Sequence, residues 1–296
     1  KYNDLSKKTL LECSKSFPKI LDADFLLSEI YDYSKEKKHQ KIMLDKVNNL
    51  DLGNGRYKAS LLFAIAKSYE DQKKYDQSSV FLTLANEEMD STVDRNLIFK
   101  YSKRFENIKL LFDKIINIKT LNDDRLYKRK IICIVGMPRS GTTLLHQLIA
   151  AEKNVEGVGE SSVIPSFFEE NIFSKEFFSK INNQNKFDKK YLVELSKLLG
   201  ERFDKIKTTD KKIIVDKNPS NFFWVGFIKL IFPNAKIIHI KRDLKDISLS
   251  VYKNIFGVKE MDWSYSPKNI IDYVSIYLKI MNYWKSKYKN FVYDID

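Results

Sequence analysis

Chain breakers are scarce in the first part of this 296-residue sequence: of nine glycines and six prolines, only Gly53, Gly55 and Pro18 precede Asn122. Cysteine is scarcer still. Cys13 and Cys133 lie on opposite sides of a domain boundary argued below. Cys133 sits in an apolar strand pattern, so no disulfide framework is expected and a reduced, cytoplasmic chain is the simplest account. No stretch reaches the ~18 apolar residues that span a bilayer, and no signal-peptide pattern opens the sequence. The first residue is Lys1, not Met, which leaves room for a trimmed upstream targeting segment. The histidines, His39, His146 and His239, show no ligand spacing, so no metal site is expected. His239 lies in a strand pattern, where it either faces a nucleotide pocket or is a satisfied core residue.

Arginine is also rare, at eight of the 52 cationic residues that stand against 39 acidic ones for a net charge of +13. Lysine excess with frequent Asn and Ile, and no run of five like charges, reads as a solvated surface compatible with a compact anionic ligand. No nucleic-acid partner is expected, because neither a basic helix with base-reading spacing nor a known binding motif is present. Apolar residues, at 43%, are ample for a sizeable core.

What is present falls into two halves, 1–122 and 123–296. Up to Asn122 apolar residues recur at three and four, the pattern of amphipathic helices. "ASLLFAIAKSYEDQKKYDQSSVFLTLANEEMD", residues 59–90, resembles a tetratricopeptide repeat, with Leu62, Ile65, Ala66 and Tyr69 on its first helix and Tyr75, Ser78, Leu82 and Ala85 on its turn and second helix. One such unit cannot bury its face alone, so helices within 23–50 and 92–117 are expected to stack on it; an ordinary helical bundle is the alternative. After Lys130 short Ile/Val runs alternate with helical stretches: "IICIV" (131–135), "KIIV" (212–215), "AKIIHI" (235–240) and "FVYDI" (291–295). That alternation predicts a three-layer α/β domain around a parallel sheet, with a short additional strand near Val155–Val158. The segment from Ile164 to Lys189 carries no pattern that assigns it.

Gly136 and Gly141 stand five apart in "GMPRSGTT", a strand-loop-helix phosphate loop with Thr142 where the Walker lysine belongs. Backbone N–H groups and the following helix N-terminus would face an anion there. Arg139, inside the loop, supplies a forked cation in place of the lysine. "PRSGTT" resembles the 5'-phosphosulfate loop of sulfotransferases that use 3'-phosphoadenosine-5'-phosphosulfate (PAPS). "NPSNFFWVGFIKLIFPNAKIIHIKRDLKDISLSVYKN" (218–254) resembles that family's second signature, a strand ending in Arg242 with Ser250 eight residues on, about two turns along a helix starting near Asp243.

The likeness is to bacterial tetratricopeptide-repeat sulfotransferases and, more distantly, tyrosylprotein sulfotransferases. It implies that Arg139, Ser140, Gly141, Thr142 and Thr143 hold the 5'-phosphosulfate, and Arg242 and Ser250 the 3'-phosphate. By the same likeness Glu160 of "GVGESSVIP" is the general base and Lys217 of "IIVDKNP" stabilises the leaving oxygen. The acceptor implied is a hydroxyl on a peptide, glycan or small metabolite, with the helical repeats available to a peptide or protein. The family continues past "FVYDID" with further helices, so the domain is expected to be incomplete at Asp296.

Alternatives remain for single residues: a helix-cap or surface carboxylate for Glu160, a solvent-facing Lys217. Asp216 ends its strand as a magnesium-binding Walker B aspartate does, or else it orients Lys217 or caps the next helix. Two other functions stay open, a P-loop phosphotransferase or NTPase and a non-enzymatic helical-repeat adaptor with a degenerate nucleotide fold.

Overall fold

A computed structural model describes residues 2–53, 55–115, 127–182 and 189–296; the expected boundary at 122/123 lies outside them. The chain forms two compact units, Lys1–Ile98 with Ser248–Tyr273, and Phe99–Ile247 with Val274–Asp296.

The first unit holds α1 (Tyr2–Ser16), α2 (Leu21–Ile30), α3 (Lys38–Asn49), α4 (Arg56–Asp71) and α5 (Tyr75–Asp90). α4 is apolar around most of its circumference and is buried accordingly. Leu61, Ala64 and Ile65 meet Leu27, Tyr31 and Met43, while Ala59, Leu62, Phe63 and Ala66 meet Leu82, Ala85, Met89 and Tyr265. The helical hairpin expected at 59–90 is present, closed by Ser78 Oγ donating to the Ala66 carbonyl at 2.8 Å. α2 and α3 pack on it, as expected for 23–50. Tyr252, Ile255 and Tyr265 cover its second face.

His39, in a stretch that reads as charged, is fully buried on α3. Its Nε2 meets Asp24 Oδ1 at 2.9 Å and its Nδ1 meets the Tyr33 hydroxyl at 2.6 Å. Lys46 Nζ and Ser14 Oγ each donate to Asp24 at 2.6 Å. Burial pushes the Asp24 carboxyl up, but the bonds from His39, Lys46 and Ser14 outweigh it and hold the group below the usual range.

In the second unit lie α6 (Leu97–Ile115), which belongs here from Phe99 on, β1 (Lys130–Gly136), α7 (Thr142–Ala150), β2 (Val155–Gly159), α8 (Val163–Ile172), α9 (Lys175–Asn182), α10 (Lys189–Ile206), β3 (Ile213–Lys217), α11 (Val225–Ile231) and β4 (Lys236–Ile240). α12 (Leu244–Tyr252) and α13 (Pro267–Lys287) each begin in one unit and end in the other, and β5 (Val292–Ile295) closes the order. The helix expected to stack on the hairpin from 92–117 instead buries Phe112 against Trp284 and Phe227, because its aromatic stripe matches that cluster. Two short helices, α8 and α9, occupy the unassigned stretch after Ile164; at 10 and 8 residues they are shorter than the window in which helical periodicity is legible.

All five expected strands form one parallel sheet in the order β2-β3-β1-β4-β5. Its core, Ile134, Val155, Val215 and Ile240 with Leu145 and Ile149 against it, is the β-branched set that made the strands readable. From β1 the order runs outward in both directions, so the C-terminal edge of β1 is a topological switch point, where open α/β sheets take ligands. Among the described residues no helix is long and apolar enough to cross a membrane.

Candidate active site

The loop between β1 and α7 begins where strand and loop crowd each other. A Cβ on Gly136 would stand 2.9 Å from the Ile240 carbonyl oxygen and 3.0 Å from Ser140 Oγ, so only glycine lets the loop turn back across β4. Arg139 and Gly141 take left-handed φ values of 69° and 103°, reversing the chain on either side of Ser140. Ser140 Oγ is buried and, among the described residues, finds no hydrogen-bond partner. A buried hydroxyl without a partner costs about 1–3 kcal/mol. Thr142 is buried at the first turn of α7, and Thr143 is exposed beside it.

β4 delivers the second motif to the same edge, since Gly136 and Ile240 are register partners. Arg242 Nη1 donates to the Arg139 carbonyl at 3.3 Å, and its Nη2 lies 3.6 Å from Asp246 Oδ2. Asp243 accepts from the backbone N–H of Lys245 at 2.7 Å and of Asp246 at 3.2 Å, which starts the helix at the expected place. Ser250 is half-buried on α12, in the part of that helix belonging to the first unit.

Glu160 follows β2, where the ladder with β3 slips: Gly157 pairs with Val215, yet Gly159 pairs with Asp216. The extra residue is a bulge, a device that re-aims the side chain beyond it. Lys217, the last residue of β3, points to the same spot. Its ammonium donates to Glu160 Oε1 and, at 3.3 Å, to Thr143 Oγ1. The lysine side chain is 6% exposed and the glutamate 60%, so one end of the pair is sealed and the other open to solvent. A solvent-facing Lys217 is thereby overturned.

Asp216 is fully buried beneath this pair. Ser161 Oγ and Asn221 Nδ2 each donate to it at 2.5 Å, occupying both oxygens that a Walker B aspartate would turn toward a metal's water. The capping alternative also fails, because Asn218 takes that place, accepting from Ser220 N at 3.0 Å. Burial pushes the Asp216 carboxyl up to about 6, against the pull of Ser161, Asn221 and Lys217. A folded-state value above the unfolded one stabilises the protein fully below the unfolded value and is lost as pH rises through about 6. The full contribution is about 3 kcal/mol. The unfolding free-energy difference between wild type and Asp216→Asn is therefore expected to shrink by about 2 kcal/mol from about pH 4.5 to about pH 7.5, measured by urea titration.

Two histidines take part in the second unit. His239 is buried in β4 between Asp294, 2.8 Å from its Nδ1, and the Tyr277 hydroxyl, the satisfied core residue of the two alternatives. His146 on α7 was not singled out by the sequence. Its Nε2 accepts from Gly159 N at 3.2 Å, at the bulge. Ser161 and Asn221 were likewise missed, and no spacing signal marks them. Among the described residues no group of three His, Cys, Asp or Glu is placed to hold a metal ion.

Known proteins are similar to this chain in sequence. An uncharacterized protein of Aquifex aeolicus is 27% identical over 277 residues, 90% of this chain and 36% of that protein. A candidate protein-tyrosine sulfotransferase of Caenorhabditis briggsae is 25% identical over 122 residues, 40% of this chain and 41% of that one. The chain thus spans well under half the length of these relatives. A sulfotransferase crystal structure from Mycobacterium tuberculosis superposes with a TM-score of 0.38 at 15% identity, over 99% of this chain and 83% of its own. The sulfotransferase family model matches residues 132–295, more than half the chain and the whole stretch from the β1 loop through Glu160, Lys217 and Arg242, and the chain belongs to the sulfotransferase family.

Proposed function

We propose that this sulfotransferase takes its sulfuryl group from PAPS and passes it to a hydroxyl of a peptide, glycan or small metabolite. The observation that carries the reading is the bond from the Arg242 guanidinium to the Arg139 carbonyl: two arginines from motifs 103 residues apart meet at one sheet edge. The residues present suit the donor. The unpartnered Ser140 hydroxyl, the crowded glycine at 136 and the N-terminus of α7 form an anion cradle.

In this reading Arg139, Ser140, Gly141, Thr142 and Thr143 bind the 5' end, and Arg242 and Ser250 bind the 3'-phosphate. When bound, PAPS supplies an activated sulfonate on a phosphate leaving group. Glu160 takes the proton of the acceptor hydroxyl as that oxygen bonds to sulfur. Lys217 neutralises the charge left on the bridging oxygen as its bond to sulfur breaks. The ion pair between them opens as each turns to its own partner. The likeness of the α4–α5 hairpin to a tetratricopeptide repeat favours a peptide or protein acceptor, and such a partner would use a face other than the one Tyr252, Ile255 and Tyr265 cover.

Calorimetry with 3'-phosphoadenosine-5'-phosphate (PAP) tests the donor. PAP is expected to bind at least ~10-fold more tightly than ATP with magnesium. Arg242→Ala should weaken PAP by about 10- to 150-fold, the worth of roughly 1.5–3 kcal/mol for a bond to a charged group. ATP binding as well as PAP, or an Arg242→Ala variant that binds PAP like wild type, would sink the reading.

A further inference from the structure

We infer that His146 is a positioning residue for Glu160, its imidazole filling the β2 bulge so that the carboxylate is held where Lys217 and an acceptor meet. The inference rests on the role proposed for Glu160. A bulge leaves backbone groups short of ladder partners, and each such group, if buried, must find another. His146 serves one of them: its Nε2 accepts from Gly159 N–H at 3.2 Å. Val215 faces Gly157 on one side of the slip, and Gly159 faces Asp216 on the other. The ring from α7 therefore meets β2 at the irregularity, and Glu160 is the next residue.

The strand is shaped for that ring. A Cβ on Gly157 would lie 2.8 Å from His146 Cε1 and Nε2, closer than real contacts allow, so glycine at 157 lets the imidazole lie across the strand. Burial and the nearby Lys217 ammonium hold the His146 imidazole below the ordinary histidine range, against the pull of the Val215 backbone and the Glu160 charge. A neutral ring with one acceptor nitrogen is what the Gly159 N–H requires; a doubly protonated ring would oppose donor to donor.

The full chain is tested with three variants. His146→Leu keeps bulk and removes the bond to Gly159; His146→Gln keeps a side-chain oxygen able to accept from Gly159; Gly157→Ala crowds the ring and Ala150 Cβ together, each 2.8 Å from the added Cβ, and leaves the imidazole itself unaltered. In wild type and His146→Gln the Gly159 amide is expected to be protected from hydrogen exchange, and in His146→Leu and Gly157→Ala to exchange at least ~10-fold faster. With labelled PAPS, His146→Leu should lower kcat by about 30-fold, the scale of a small misplacement of a reacting group, with KM for PAPS and the PAP dissociation constant within about 2-fold of wild type. His146→Gln should recover kcat to within about 3-fold. Unchanged Gly159 protection in His146→Leu, or equal kcat losses in the Leu and Gln variants, would overturn the inference. Wild type inactive with PAPS would refute the donor reading alone, since amide exchange needs neither donor nor acceptor.

Discussion

Replacing Glu160 with glutamine is expected to lower kcat by about 1,000-fold, within the range that a positioned general base supplies, while PAP binds within about 3-fold of wild type. The geometry explains the split. Glu160 stands beyond the bulge of β2, 60% exposed and reaching inward to the Lys217 ammonium, whereas Arg139 and Ser140 lie on the loop after β1. Glutamine matches glutamate in size and can still accept from Lys217, so it leaves the loop intact and removes only the ability to take a proton. Single-turnover kinetics with a hydroxyl acceptor measures the effect; a loss confined to KM would show that Glu160 binds substrate and does not abstract its proton.

Lys217→Met is expected to cost about 100- to 1,000-fold in kcat, comparable to removing one preorganised donor from a developing oxyanion. Methionine fills the nearly sealed channel with a chain of similar length, and Glu160, the partner left behind, is open to water, so no unpaired charge is buried. The same substitution removes a cation beside Asp216, whose carboxyl should rise above its value of about 6. Because Lys217 and Glu160 are bonded, the double variant Glu160→Gln/Lys217→Met should lose much less than the product of the single losses. Full multiplicativity in the same kinetic assay would mean that the two groups act independently.

Local residue patterns made much of the architecture legible. β1, β3, β4 and β5 are short Ile/Val runs bounded by polar residues, and each forms a strand within one or two residues of its expected limits. The β1 loop announces itself through glycine spacing, and Arg242 through its place after a strand. What stayed illegible depends on partners brought together from far along the chain. The clamp of Ser161 and Asn221 on Asp216 depends on where β2 ends relative to β3, and His146 matters because of a one-residue slip between those strands. α6 has the right periodicity to pack anywhere; only the aromatic cluster of Trp284 and Phe227 determines its place. Hydrophobic periodicity reports which face is buried and not against what.

The carboxylate of Asp24 gathers Ser14 from α1 and His39 and Lys46 from α3, with the Tyr33 hydroxyl behind the imidazole. Helices at the end of a chain ordinarily fray first, at little cost in free energy. Here peeling away α1 would strip a donor from a buried anion, and loosening α3 would strand that anion without its cation, a change that costs about 3–5 kcal/mol for a buried pair. The first three helices are therefore expected to open as one cooperative block, their slowest amides exchanging hydrogen at a common rate.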